Sequence, residues 1–413
     1  MTFTRKTASL KPIEDTVFTI VRAAKQDAAE HGPEHVVDGT IGSLCDEEGK
    51  LVAYQSVFRH YDEIDDRVKA SYAASFTGNP GFRKEVFDWV KQDADVRLAH
   101  SVIATPGGSG AVSTAFTTFL DQGQTVLLPD IAWGSYKLMA SENNLNAVTY
   151  EMFDGDTFNM ASFRSTIQDV MARQDKIMVV VNDPCHNPTG YSMSLEEWKQ
   201  IIAFLNECSQ KVPCILVDDI AYIDYSYNLA QSRRYMETFN SISGNVMITV
   251  AFSCSKTLTS YGLRCGAAVL MAQHPEAVRE AEIVFEKAAR ATWSNIPNAA
   301  MENFTWVVTQ NRTDFLKEKQ KYVDLMKERS RIFLAEAKAC GLDVYPYKEG
   351  FFVTLRIPDN ALRDRVHACY IENHIYTVRV NKGIRVAVCS LPISKVRGLA
   401  QRMKTLEENV KKG

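Results

Sequence analysis

The stretch "VMITVAFSCSKTLTSYGLRCG", residues 246–266, decides how this chain is read. An apolar, β-branched run ends at Ser253, and such a run bounded by turn residues reads as a buried strand. Lys256 follows between small hydroxyl residues, and Arg264 lies eight positions further on. A second apolar run, "CGAAVLMA", begins at once. One lysine among 47 Lys+Arg is by default a solvated surface cation. Its place at the end of a buried strand suggests chemistry instead, because open α/β sheets bind ligands at the carboxyl ends of their strands.

Working outward, the region from about residue 99 to 270 alternates in the same way. "SVIAT", "TVLLPD", "AVTYEMF", "KIMVVVND" and "CILVDDI" are strand candidates, mostly separated by helical stretches. Ser194 and Glu197 form a capping box at the start of one such helix. Apolar strands alternating with helices predict a mainly parallel sheet covered on both faces. Residues 12–30 read as a helix, opened by Pro12, with Ile13, Val17, Ile20, Val21, Ala24 and Ala28 at helical spacing. "VVDGTIG" reads as a strand running into a turn, and residues 300–338 as one long helical stretch. A smaller α/β segment closes the chain: "FFVTLRI", a helix over residues 361–372, "IYTVRV", "IRVAVCS" and a charged helix. The expected architecture is α/β. A large doubly wound domain spans residues 46–315, and a smaller one is built from both chain ends, 1–45 and 316–413.

Composition narrows the function. A chain of 413 residues with 46% apolar and 23% charged residues can bury a large core. A formal net charge of −3 offers no broad basic surface for nucleic acid. No apolar run approaches a membrane span, and "MTFTRKTASLKP" carries no signal-peptide core. The nine cysteines are scattered without a C-x-x-C pair, which favours reduced, buried thiols in the cytoplasm. The eight histidines form no H-E-x-x-H and no Cys/His cluster, so no protein metal site is expected.

Several polar clusters fall at strand ends. In "ATPGGSGAV", Gly107, Gly108 and Gly110 let backbone N–H groups approach an anion, and Ser109 adds a hydroxyl at a helix N-terminus. Alone, such a turn is usually just a turn, and this one lacks the Walker lysine and the dinucleotide glycine spacing. The "NPTG" beginning at Asn187 is equally compatible with a plain turn. In "ILVDDIAY", Asp218 and Asp219 are expensive if both are buried, so at least one should meet a cation unless both reach water. Ser253, Ser255 and Arg264 would complete the anion site, with Arg264 as a bidentate phosphate ligand. Lys256 beside it could form an imine with a carbonyl ligand. Phosphate cradle, imine and an aspartate for a protonated ring nitrogen are together a protein's tasks for pyridoxal phosphate.

With these residues in place, the chain resembles the fold-type-I pyridoxal-phosphate aminotransferases over nearly its whole length, in their aspartate and aromatic amino acid branch. "IGSLCDEEGK" resembles that family's early glycine turn and supplies Gly42 to the substrate side. "GGSGA" is similar to its phosphate loop, with Gly108 and Ser109. Trp133 in "DIAWGSY" falls where the family stacks an aromatic ring on the cofactor. The resemblance implies that Asn187 and Tyr222 bond the cofactor's phenolic oxygen, Asp219 its pyridine nitrogen, and Ser253 and Arg264 its phosphate. Lys256 of "SCSK" would carry the imine, and Tyr72 would reach the phosphate of the neighbouring subunit. Arg385 in "GIRVAV" would hold the substrate α-carboxylate, and Arg290 in "RATWSN", paired with Asn295, its distal carboxylate.

This sequence departs from the family pattern at a few points. "GSYK" after Trp133 lacks the Asn-His pair of the aspartate branch, "SYAASFTGNPGF" is one residue longer than the family's Tyr-to-Gly spacing, and Ile296 replaces a proline. The implied reaction moves an amino group between an L-amino acid, aspartate or an aromatic one, and a 2-oxo acid such as 2-oxoglutarate. Lys256 moves the α-proton in it, and a homodimer shares its active sites. A β-lyase or decarboxylase on the same scaffold is the alternative: a lyase releases ammonia from one substrate, whereas a transaminase needs an acceptor. A transcription regulator with an aminotransferase-like domain would need a DNA-binding module. Only about forty residues precede the large domain, too few for one with its linker.

Overall fold

The computed structural model describes residues 3–4, 9–12 and 16–412. Its main sheet is built from the runs expected to be buried strands: β1 Ala99–Thr105, β2 Thr125–Pro129, β3 Asn146–Tyr150, β4 Ile177–Val181, β5 Cys214–Asp219, β6 Val246–Ser253 and β7 Gly266–Ala272. These seven strands lie in the order β1-β7-β6-β5-β4-β2-β3. β7 is antiparallel to both its neighbours, and the other pairs are parallel. The central strands are buried along their whole length, so they read as unbroken apolar runs rather than alternating ones. Two apolar clusters cover the two faces, one including Trp198, Tyr235 and Phe304, the other Val112, Tyr136 and Phe285.

The topology decides where the chemistry gathers. All the strands but β7 end at one edge of the sheet. Reversed β7 starts there, so Arg264 just before it reaches the edge where Thr105, Asp219 and Ser253 end their strands.

Strands Phe352–Arg356, Val378–Val380 and Gly383–Ala387 form a separate antiparallel sheet. Val37–Asp38 pairs in parallel with Ile375–Tyr376, tying the start of the chain to its end. The long helix Arg312–Cys340 contributes Phe315, Val323 and Met326 to the first large cluster and Ile332, Phe333 and Ala337 to the core of the smaller sheet.

The sequence reading needs adjustment in places. The first helix runs Thr16–His31, and Ile13 lies outside the described residues. The stretch read as one helix is two, Asn298–Thr309 and Arg312–Cys340, broken at Gln310 and Asn311. "IYTVRV" splits into two short strands that pair with different partners. The Ser194–Glu197 capping box forms, with Ser194 Oγ accepting from Glu197 N–H and the Glu197 carboxylate accepting from Ser194 N–H.

Candidate active site

Two cavities meet at the sheet edge. The inner one, about 220 Å³, is lined by Gly108 and Ser109 at one end, Asp219 and Asn182 at the other, and Ser253, Ser255 and Arg264 beside Lys256. The outer one, about 1360 Å³, includes Gly42, Phe352 and Arg385. Trp133, Tyr136, Asn187, Tyr222 and Lys256 line both, so they form the wall between an inner compartment and an outer mouth.

Lys256 sits in the single helical turn Cys254–Thr257 that follows β6. Its Nζ donates to the Gly42 carbonyl at 2.6 Å and lies 4.8 Å from the Tyr261 ring centre. Gly42 in turn packs against Phe352: a Cβ there would fall 2.7 Å from Phe352 Cζ. Burial pulls the Lys256 ammonium down to about 8, and the charges of Arg385 and Arg264 act in the same direction. A lysine lowered this far has a much larger free-amine fraction near neutral pH than an ordinary one, and that form can act as nucleophile and base.

The inner end of the cavity is built to hold an anion. Gly107, at φ +69°, opens the helix Gly107–Phe119, and a Cβ there would fall 2.7 Å from Arg264 Nη2. Arg264 itself adopts φ +51°, a conformation uncommon for residues other than glycine. Its Nη1 donates to Ser255 Oγ at 3.0 Å and to the Tyr261 carbonyl at 2.8 Å, which aims the guanidinium at the helix start. Helix N–H groups, two serine hydroxyls and an arginine form a phosphate-type donor set.

Asp218 and Asp219 are both buried, so neither reaches water. Among the described residues neither forms a salt bridge. Their side chains take opposite faces of β5, and a tyrosine hydroxyl serves each. Tyr235 donates to Asp218 Oδ2 at 2.7 Å, and Tyr136 to Asp219 Oδ2 at 2.5 Å. The expected cationic partner is therefore replaced by hydroxyl donors. Burial pushes Asp218 well above the carboxylate range, with Asp183 and Asp219 adding to it, and Asp218 Oδ1 has no hydrogen-bond partner. Asp218 is a neutral core carboxyl. Asp219 is also raised by burial, but Tyr136 and the Ala221 N–H oppose this by bonding its charged form. Of the pair, Asp219 alone lines the cavity.

Asn187 links the two compartments. Its Nδ2 lies 3.5 Å from Tyr222 Oη, and its Oδ1 accepts from Arg385 Nη1 at 3.1 Å. Asn182 supports it: Asn182 Oδ1 accepts from Asn187 N–H, and Asn182 Nδ2 donates to the Asp219 carbonyl. Arg385 also donates to the Thr40 carbonyl at 2.8 Å and stacks 4.3 Å over Phe352. Its Nε is buried without a partner, and among the described residues no carboxylate pairs with it. A buried cation without a counter-ion, lining an open cavity, is suited to an anionic ligand.

Tyr72 and Arg290 are not brought to this cavity. Tyr72 is 85% exposed, and exposed Arg290 donates to Ser294 Oγ at 2.8 Å with its guanidinium 4.8 Å from Phe76. Asn295 donates to the Ser75 carbonyl, and Asn298 to Ser71 Oγ and the Val68 carbonyl, so the Tyr72 and Arg290 segments pack on each other. The sequence reading missed Tyr136, Asn182 and Tyr261. Tyr136 stands in the "GSYK" departure, three residues after Trp133, and that departure was the available signal.

An imine-competent lysine, an aspartate and an anion cradle at adjoining strand ends of this sheet define an enzyme of amino-group transfer. The chain belongs to the aminotransferase class I and II family, whose model matches residues 34–403. It is 32% identical to an aminotransferase from Anaerococcus prevotii of known structure, over 98% of this chain and 99% of that one, with a TM-score of 0.95. Among curated relatives, the aromatic-amino-acid aminotransferase of Paracoccus denitrificans is 24% identical over 68% of this chain and 71% of its own length. The aspartate aminotransferase of Salmonella typhi is 29% identical over 62% of this chain and 64% of its own length. The fold also matches an aromatic-amino-acid aminotransferase from Burkholderia pseudomallei covalently bound to pyridoxal phosphate. There the identity is 20%, the coverage 98% of this chain and 100% of that one, and the TM-score 0.79. Among the described residues no helix is long and apolar enough to cross a membrane.

Proposed function

We propose that this chain holds pyridoxal 5'-phosphate in the inner compartment. With it, the chain transfers an amino group between an L-amino acid, aspartate or an aromatic one, and a 2-oxo acid such as 2-oxoglutarate. The observation that carries the reading is that Lys256, Asp219 and the Gly108–Arg264 anion cradle line one cavity, opening onto Arg385, which meets no carboxylate among the described residues.

The residues fit the cofactor's chemistry. Gly108, Ser109, Ser253 and Arg264 would take the phosphate, Asp219 the ring N–H, and Asn187 and Tyr222 the phenolic oxygen. Trp133, in the wall between the compartments, would cover the ring. When bound, pyridoxal phosphate supplies a carbonyl for the lysine and substrate amines and a ring that accepts electrons from the substrate α-carbon. Arg385 binds the substrate α-carboxylate through both of its Nη groups, fixing the α-carbon relative to Lys256. Lys256, with its lowered pKa, takes the α-proton as general base and redelivers it as general acid. Asp219, whose charged form Tyr136 favours against the effect of burial, would hold the proton on the ring nitrogen.

Two further assignments belong to this reading. Tyr72 and Arg290, exposed and packed through adjoining segments, reach the active site of a second copy in a homodimer, where Arg290 meets the distal carboxylate of acidic substrates. The chain divides into a large domain over residues 46–315 and a small one from 1–45 and 316–413, supported by the distinct cores joined by the helix Arg312–Cys340. Nine free cysteines support a reducing, cytoplasmic setting.

Half-reactions with a panel of amino acids, followed by cofactor absorbance, test the function. Conversion that stops after one turnover and resumes with a 2-oxo acid is the expected result. Ammonia release without an acceptor would replace transamination by elimination.

A further inference from the structure

Away from the sheet edge, three side chains from opposite ends of the chain converge on one point. Asp27 and His31 stand one turn apart on the helix Thr16–His31, and His374 sits at the turn between the helix Asn360–Glu372 and the strand Ile375–Tyr376. His31 Nδ1 lies 2.7 Å from Asp27 Oδ1, and His374 Nδ1 lies 2.7 Å from Asp27 Oδ2. The two imidazole rings are 5.1 Å apart, centre to centre. The ligating atoms of all three residues fall within 4.8 Å of one another. The nearby Tyr376 hydroxyl favours the charged form of Asp27.

We infer that Asp27, His31 and His374 form a binding site for a divalent transition-metal ion of the zinc type, which staples the N-terminal helix to the C-terminal segment. Two imidazoles and one carboxylate are a donor set suited to such an ion. Tetrahedral coordination needs donors separated by about 3.3 Å, so the two 2.7 Å contacts would open while any wider pair, at most 4.8 Å now, would close. The His31 and His374 side chains are 55% and 39% exposed while Asp27 is 9%, leaving the solvent side free for a water as fourth ligand. As a ligand each imidazole would carry its proton on Nε2 and turn the Nδ1 lone pair to the metal. The site owes nothing to the cofactor chemistry. Local sequence motifs did not disclose it, because Asp27 and His374 are 347 positions apart.

The test is calorimetric titration of Zn²⁺ into metal-stripped, cofactor-loaded full-length protein, with thermal melting alongside. The expected result is one saturable equivalent per chain and a rise in Tm with added Zn²⁺. His31→Gln and His374→Ala should each weaken binding at least tenfold, while His35→Ala leaves it unchanged. His31→Gln alters an exposed helix position and keeps the test open if His374→Ala does not fold. No stoichiometric uptake by the wild type, or uptake unchanged in His31→Gln, overturns the proposal. Saturation that vanishes equally in His35→Ala overturns it as well.

Discussion

The Tyr136 hydroxyl donates to Asp219 Oδ2 at 2.5 Å, from a buried position in the cavity wall. This bond is charge-assisted when Asp219 is ionised, and it opposes the upward push of burial on the carboxylate. Tyr136→Phe removes the donor and leaves the ring packing. A hydrogen bond to a charged group is worth about 1.5–3 kcal/mol, so α-proton removal should slow roughly 10- to 100-fold. Exchange of the substrate α-deuteron in single turnovers measures this. An unchanged rate would mean that Tyr136 only fills space.

The two neighbouring aspartates should respond oppositely. Asp219→Asn should retain the cofactor but lose most of the α-proton removal rate, since a neutral amide cannot hold the ring-nitrogen proton. Asp218→Asn exchanges one neutral group for another in the core, so the rate should hold and stability should change by about 1 kcal/mol. Single-turnover rates and urea melts of both variants decide. A crippled Asp218→Asn enzyme with a normal Asp219→Asn one would reverse the assignment.

Lys256 should be the residue trapped on borohydride reduction of the cofactor-loaded protein, and peptide mapping identifies it. Lys256→Ala should fold and lose the trapped adduct. A label on another lysine would remove Lys256 from its proposed role.

Free Lys256 should also titrate far below an ordinary lysine. Burial disfavours its ammonium, so the folded value of about 8 lies under the usual 10.5. Between these values the unfolded chain binds the extra proton, so this group makes the cofactor-free fold more stable as pH rises from about 8 to 10.5. Below about 8 that contribution is absent. Labelling of Lys256 by an amine-specific reagent, read by mass spectrometry against pH, should show a midpoint near 8; a midpoint near 10.5 would contradict it.

Arg290→Ala should discriminate between substrates. Stranding one partner of a buried ion pair costs about 3–5 kcal/mol, so kcat/KM for aspartate and glutamate should fall steeply while tyrosine and alanine lose little. Mixing Arg290→Ala with Lys256→Ala protein should restore activity if sites are shared across a dimer. Equal losses for all four substrates would make Arg290 structural.

The sequence by itself determined the sheet. Runs such as "IMVVV" and "GAAVLMA" are buried end to end, and strands covered on both faces need continuous apolar residues, so composition alone marks them. It also carried Lys256, Asn187, Asp219, Arg264 and Arg385, because each stands in a short motif at a strand end or within a strand. Only the tertiary structure decided how the two aspartates differ, since adjacent strand residues face opposite cores and their partners, Tyr136 and Tyr235, lie on separate elements. Only it brought Asn182 under Asn187 and His374 to Asp27. Hydrogen bonds and ligand sets join atoms in space, and a pairing across 347 positions leaves no local pattern in the chain. Tyr72 and Arg290 show the same division: their motifs pointed to the site, but the fold places both on the outer surface, away from the cavity.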